Sequence, residues 1–270
     1  MRPRSIQIFF LGIVLIISLG FSLGIHWGNP EVREWDVAHR ELPDMTVAVL
    51  SDFHFTEPED LARLSLIKRQ LIASHADIVL LAGDYIGSRS EISRTTIVKA
   101  LGALVFPTPS FAVLGNHENW DNREAWKDTF KDADIVLLEN EVTFFKVGGT
   151  EICIRGLGDT YSGHWSETTI PEPCDDRVIT LAHDPEGLVN KTGTIESLSF
   201  AGHTHCGQIA LPLIGAPFVP TKSPREMHCG RYELGHTGIT SGGLGTSILP
   251  IRFGPNTEPG WELIRIQRLR

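Results

Sequence analysis

Five times along this chain a short apolar run breaks off into residues able to hold a metal or move a proton. They are Ser51-Asp52-Phe53-His54, Gly83-Asp84, Gly115-Asn116-His117-Glu118, His183-Asp184-Pro185 and Gly202-His203-Thr204-His205. The preceding runs, such as MTVAVL at 45–50 and IVLLA at 78–82, have the length and composition of buried strands. In an α/β sheet the carboxyl ends of strands converge on one edge, so residues far apart in sequence meet in one crevice. The glycines let the backbone turn sharply and approach a ligand. Each fragment alone is a common turn or cap; the ordered set is what carries information.

Between these runs the spacing predicts helices at 61–74, 93–104 and 123–132. Further strands are expected at 111–114, 135–138, 142–147, 151–154, 178–182, 198–201, 208–211, 227–234 and 261–266. The alternation reads as α/β. Long Gly/Pro-rich loops at 156–173 and 212–224 are of a length that lines or covers a site. The expected organisation is an N-terminal membrane anchor or signal sequence at 1–25, a polar connector at 26–44 and one catalytic domain at 45–270.

The order D-x-H, G-D, G-N-H-E, H and G-H-T-H, spanning about 46–208, resembles the calcineurin-like metallophosphoesterase family. The segments Gly202-His203-Thr204-His205-Cys206-Gly207-Gln208 and Leu249-Pro250-Ile251-Arg252-Phe253 are similar to a membrane-associated bacterial branch with a GHTHGGQ-type motif. Two departures stand out: Cys206 replaces a Gly, and the bulky Phe53 sits between the ligands of the first motif. A thiol at 206 is expected to narrow the site or to react with oxidants or heavy metals.

The resemblance implies a sandwich of two mixed β-sheets flanked by helices, with two divalent ions bridged by Asp84. Asp52, His54 and His205 would complete one metal site, and Asn116, His183 and His203 the other. Carboxylate and amide oxygens mixed with imidazoles suit Mn, Fe or Zn, and a pair of such ions clamps an in-line displacement at phosphorus. A hydroxide bridging the ions would be the nucleophile. His117 would act as the general acid at the leaving group. The implied activity is a phosphoesterase, most readily a phosphodiesterase, cleaving a phosphodiester, phosphomonoester or pyrophosphate bond. The alternatives are a UDP-linked lipid-precursor pyrophosphatase of the same family and a non-catalytic metal-binding scaffold.

From Ile6 to Ile25 no side chain is charged, and fourteen of these twenty residues are Ile, Leu, Val or Phe. A helix of that length reaches about 30 Å, the thickness of a bilayer core. Arg2 and Arg4 precede it and a mixed-charge run follows, so the positive-inside rule predicts a cytoplasmic N-terminus with the catalytic domain outside the cell membrane. Secretion after signal cleavage is the alternative, since Ser18-Leu19-Gly20 and Ser22-Leu23-Gly24 are small-x-small triplets. An anchor makes a lipid-linked phosphate ester a plausible substrate.

The whole chain carries a net charge of −9, and without the first 25 residues 22 basic stand against 33 acidic ones, or −11. That excludes nucleic acid bound as a polyanion across a basic face. A single phosphate ester at metal ions is still permitted, because the ions reverse the local field. No protein partner is predicted.

By position, Trp120 and Arg252 are candidate substrate contacts, although for Arg252 a structural ion pair is an equal reading. His164-Trp165, in a long loop, either contacts substrate or packs over a domain edge, the second being the preferred reading. The run 241–247, SGGLGTS, lacks the Lys of a phosphate-binding loop and is expected to be a tight turn approaching the metals. Cys153, Cys174, Cys206 and Cys229 have no C-x-x-C spacing; an oxidising compartment would let them pair, with the partners unspecified.

Overall fold

The computed structural model describes residues 29–174, 176–189, 198–211, 213–247 and 249–269. Twelve strands are named in chain order: β1 (Glu31–His39), β2 (Met45–Leu50), β3 (Ile78–Leu81), β4 (Ser110–Ala112), β5 (Val136–Leu137), β6 (Glu141–Val147), β7 (Thr150–Gly156), β8 (Val178–Leu181), β9 (Leu198–Ala201), β10 (Gly230–Glu233), β11 (Thr237–Thr240) and β12 (Gly260–Arg268). Three helices are α1 (Leu64–Ser74), α2 (Arg94–Val105) and α3 (Asn116–Phe130). The strands form two six-stranded mixed sheets, ordered β1-β12-β2-β3-β4-β5 and β10-β11-β9-β8-β7-β6.

Alternation along the strands builds the layers. In β2 and β3, Val47, Val49, Ile78 and Leu80 face the second sheet, where they meet Ile152, Ile179, Leu198 and Phe200. Their neighbours Ala48, Leu50, Val79 and Leu81 face the other way and pack on Ile67 and Leu71 of α1, Val98 and Leu101 of α2, and Trp126 and Phe130 of α3. Strands buried on both faces read as continuous apolar runs, as these do. A smaller cluster with Leu157, Ala182, Ala201, Met227 and Tyr232 lies on the second sheet.

The stretch 26–44, expected to be a polar connector, contains β1, which pairs in parallel with β12 over nine residues. Its charges suit an edge strand, half solvated and unattractive to a further strand. Arg33 Nε and Trp35 Nε1 both donate to the buried Glu262 carboxylate, at 2.9 and 2.7 Å. The sheet therefore starts at Glu31 and not at Met45.

At 208–211 only isolated bridges form, Ile209 with Phe253 and Leu211 with Gly215, because Cys206, Gly207 and Gln208 all have positive φ and turn the chain away. Helix α3 starts seven residues before the expected helix at 123, and Asn122 (φ −168°, ψ 87°) breaks it there. β11 escaped the sequence reading because it is four residues long and includes a glycine.

All four cysteines are paired, Cys153 with Cys174 and Cys206 with Cys229. Cys206 is therefore not the reactive thiol the sequence suggested. Among the described residues no helix is long and apolar enough to cross a membrane. The apolar run at 6–25 lies outside the described residues.

Trp261 of β12 is fully buried, and its indole N–H donates to Gln70 of α1 at 3.1 Å. Trp261→Ala is expected to lose about 3–5 kcal/mol of stability, read from the midpoint and slope of urea denaturation.

Candidate metal centre

Each predicted ligand leaves the end of a strand. Asp52 and His54 follow β2, Asp84 follows β3, and Asn116 and His117 open α3 after β4. From the second sheet, His183 follows β8 and His203 and His205 follow β9. Two contacts close the edges together: Asp52 N donates to Gly83 O at 2.9 Å, and His203 N reaches both Asp52 carboxylate oxygens at 3.1 Å.

Three groups result whose ligand atoms lie within 4.8 Å of one another: Asp52, His54 and His205; His54, Asp84 and His117; and Asp84, His183 and His203. Asn116 Oδ1 joins the last group, 3.1 Å from His183 Nε2. All seven ligands expected from sequence are buried and converge. His54 and Asp84 each belong to two groups, and Asp84 links the clusters from the two sheets, with Oδ2 3.5 Å from His54 Nε2 and 3.4 Å from His183 Nε2.

The donor chemistry fits cations here. His183 Nδ1 lies 2.7 Å from Ala82 O and His203 Nε2 lies 2.7 Å from Pro220 O, so in each neutral ring that nitrogen carries the proton. The remaining lone pairs, His183 Nε2 and His203 Nδ1, face each other at 3.1 Å, with the Asn116 amide oxygen beside them. Acceptors aimed at one another need an electrophile between them, a proton or, in its place, a metal cation. Holding each ligating His through its other nitrogen is also how metal sites orient imidazoles.

The electrostatics show how strongly the centre draws positive charge, as protons or as metal ions. Burial pushes the Asp84 carboxyl up, but the His183, His54 and His117 imidazoles outweigh it and hold it well below the usual carboxylate range. His183 is lifted well above the ordinary imidazole value: burial opposes this, while the Asp84, Asp52 and Asp159 carboxylates prevail. Burial pushes His54 down to about 3 and His205 well below its usual value, so both offer neutral lone pairs.

Five of these ligands, Asp52, His54, Asp84, His203 and His205, have φ between 48° and 67°. The left-handed region costs a residue with a side chain about 1–2 kcal/mol. Such strain persists only where the surroundings enforce it, and it gathers at functional sites. At Gly243 (φ 75°) an added Cβ would sit 2.6 Å from the Asp52 Cβ. The glycine-rich turn thus does approach the metal ligands, as expected.

Glu118 has a role the sequence reading did not give it. Its fully buried carboxylate accepts from the backbone N–H groups of Asp84, Tyr85, Ile86 and Gly115 at 2.8–3.0 Å. Burial and the Asp84 charge push its carboxyl up to about 7, against the pull of the amide donors. The available signal was its place three residues after the helix-capping Gly115.

Arg252 is the correction among the candidates. It is 1% exposed, donates to the carbonyls of Gly243, Gly245 and Thr257, and sets its guanidinium 3.0 Å from His205 Nδ1. It braces the glycine-rich turn and the back of a ligand, with its donors directed at backbone carbonyls and His205. Trp120 stays exposed at the mouth. Its ring lies 5.6 Å from His117 and 5.9 Å from Tyr161, and Tyr161 lies 4.7 Å from His203. Tyr161 comes from the 156–173 loop and Pro220 from the 212–224 loop, so both loops line the site. Trp165 packs on the edge cluster, as expected.

Glu118→Ala would leave four buried amides without their acceptor, each worth about 1–3 kcal/mol. The expected outcome is a loss of more than about 3 kcal/mol in denaturant titration, with reduced metal content by elemental analysis. Dialysis against a chelator should lower Tm; Mn²⁺ returned at about 100 times its Kd should restore about 2.7 kcal/mol.

The sequence profile described as "Calcineurin-like phosphoesterase" matches residues 45–207. The chain is 28% identical over 216 residues to the "Phosphodiesterase YaeI" of Escherichia coli (strain K12), covering 78% of this chain and 79% of that one. It is 27% identical over 213 residues to the "Uncharacterized metallophosphoesterase YkuE" of Bacillus subtilis (strain 168), covering 77% and 74%. The solved structure of the calcineurin-like phosphoesterase YfkN from Bacillus subtilis is similar with a TM-score of 0.44 and 14% identity, over 78% of this chain and 89% of that one. With a profile match over more than half its length, laid on the strand ends that gather the ligands, the chain belongs to the calcineurin-like phosphoesterase family.

Proposed function

We propose that this chain is a phosphodiesterase that works with two divalent ions, Mn, Fe or Zn, held on either side of Asp84. The observation carrying this reading is the position of Asp84 Oδ2 between His54 Nε2 and His183 Nε2, at 3.5 and 3.4 Å. Asp52, His54 and His205 would hold one ion; Asn116, His183 and His203 would hold the other. When bound, such ions lower the pKa of water and stabilise charge on phosphoryl oxygens. The phosphodiesterase name of a relative of matching length supports this choice of bond.

The chain's own groups supply the rest. His117 hydrogen-bonds Asp84 Oδ1 through its backbone N–H at 3.0 Å, which sets its ring beside the shared carboxylate. Its Nε2 lies 3.9 Å from Asp84 Oδ2, and its side chain is 11% exposed, so it meets both the ligand groups and incoming substrate. A proton delivered from His117 Nε2 to the leaving oxygen completes the displacement. Trp120 and Tyr161 flank that approach and give an organic substituent of the ester an aromatic wall.

The same reading places the domain outside the cell membrane, tethered by the apolar run at 6–25, with a membrane-surface phosphate ester as substrate. Support comes from the uncharged length of that run and from the pairing of all four cysteines, since disulfides persist in oxidising compartments. The 249–253 segment adds the likeness to the membrane-associated branch.

Asp84→Asn is expected to remain folded by circular dichroism and to lose turnover of bis-p-nitrophenyl phosphate; full activity with metal present would sink the two-ion reading. His117→Ala is expected to lower kcat about 10²–10⁴-fold with metal content intact. Loss of metal in that variant would instead make His117 a ligand, as its place in one of the ligand groups permits.

A further inference from the structure

The domain is acidic, yet one part of its surface carries no acidic residue. From Cys206 to Arg225 there is no Asp or Glu, while Lys222 and Arg225 are present and exposed. This segment also groups several exposed large apolar side chains: Leu213 at 109%, Phe218 at 69% and Ile214 at 62%, with Leu211 and Leu249 nearby at 38% and 46%. Such grouping on a soluble surface marks an interaction site.

Backbone contacts tie this patch to the metal-ligand edge. Pro220 O meets His203 Nε2 at 2.7 Å, Gln208 Nε2 donates to Leu249 O at 2.6 Å, and Arg225 donates to Ile214 O at 2.7 Å. Trp120 and Tyr161, 61% and 46% exposed, lie beside His117 and His203. The metal centre is therefore bordered by exposed apolar and aromatic side chains, with the basic Lys222 and Arg225 in the same segment.

The tether enters at this same edge. Glu31 N donates to Pro259 O, and the adjacent Gly260 N donates to Gly243 O, the residue packed against Asp52. Pro30 shares a small cavity with Phe53 and Leu244. Only five residue steps separate Ile25, the end of the uncharged run, from Pro30, a reach of at most about 18 Å. A domain so tethered must present this edge, or one close to it, to the bilayer.

We propose that the rim formed by Leu213, Ile214, Phe218 and Leu249 seats in the surface of the lipid bilayer, so that the metal centre opens onto phospholipid headgroups and takes its phosphate ester from the leaflet. Apolar tips enter the acyl boundary, Lys222 and Arg225 meet anionic headgroups, and Trp120 and Tyr161 occupy the interfacial level that aromatic residues favour. The inference rests on the phosphoesterase reading of the site and names where its substrate lies.

The test places a photo-crosslinker on the rim, as Phe218→p-benzoylphenylalanine, in the full chain reconstituted into vesicles of phosphatidylethanolamine and phosphatidylglycerol. The control is Phe144→p-benzoylphenylalanine, 48% exposed on β6 at the far edge of the second sheet. After irradiation, intact-mass analysis should show a phospholipid adduct at position 218 and none at 144. An adduct to a second copy of the chain, lipid adducts at both positions, or no adduct at 218 would overturn the docking face. Turnover of soluble bis-p-nitrophenyl phosphate by the unlabelled chain in the same vesicles reports separately on the catalytic reading. Turnover without a lipid adduct defeats the docking face alone.

Discussion

One carboxylate fixes the register of the site. Glu118 collects the backbone N–H groups of Asp84, Tyr85, Ile86 and Gly115, which come from the turns after two neighbouring strands. Those turns are too tight to pair their own amides, and a buried unpaired amide is costly, so the chain holds its shape around this side chain. The consequence reaches Asp84, whose left-handed backbone and central carboxylate depend on the turn Glu118 closes. From the other side, His203 N on the Asp52 carboxylate joins the second sheet to the first. The ligand cluster is therefore held by backbone-to-carboxylate bonds, some to Glu118 and some to the candidate ligands Asp52 and Asp84 themselves.

The ligands were legible because they violate their surroundings. An Asp or His directly after a fully apolar strand has no solvent to enter, so chemistry is the economical explanation for its presence, and all seven such residues converge as expected. The strands carrying them were legible for the same reason, being buried on both faces. What escaped was whatever depends on contacts between distant segments. β1 carries charge at nearly every second position, and its membership in the sheet becomes visible only when Glu262 is seen beneath Arg33 and Trp35. Arg252 is charged and follows a loop, which suggests a substrate contact; its burial among carbonyls turns it into a brace. The cysteine partners depend on which turns lie side by side, and no spacing rule encodes that. Glu118 stood in plain view within a recognised motif, but its task is set mainly by the amides of Asp84, Tyr85 and Ile86, more than thirty residues earlier.

The charge of the domain also divides by location. Its acidity lies over the general surface, which disfavours an extended polyanion, while the mouth of the site is bordered by a segment free of acidic residues. Within the centre, two carboxylates gather with five imidazoles and an amide, a donor set suited to cations. Field and shape thus agree on a compact anionic group presented end-on, with apolar material around it. The long loops that supply Tyr161 and Pro220 set how wide that approach is, and the Asp184 carboxylate accepts from Thr160 and Thr221 and so couples them.

The position of β12 carries a consequence for synthesis. It lies between β1 and β2, pairing with the first in parallel and with the second antiparallel, although more than 200 residues separate it from either. As the chain leaves the ribosome, β1 has no partner and β2 has an open edge until residues 260–268 have been made. The first strand formed waits for the last. Vectorial folding can therefore assemble the second sheet and the helical layer early, but the sheet edge beside the N-terminal segment closes only after translation has passed β12.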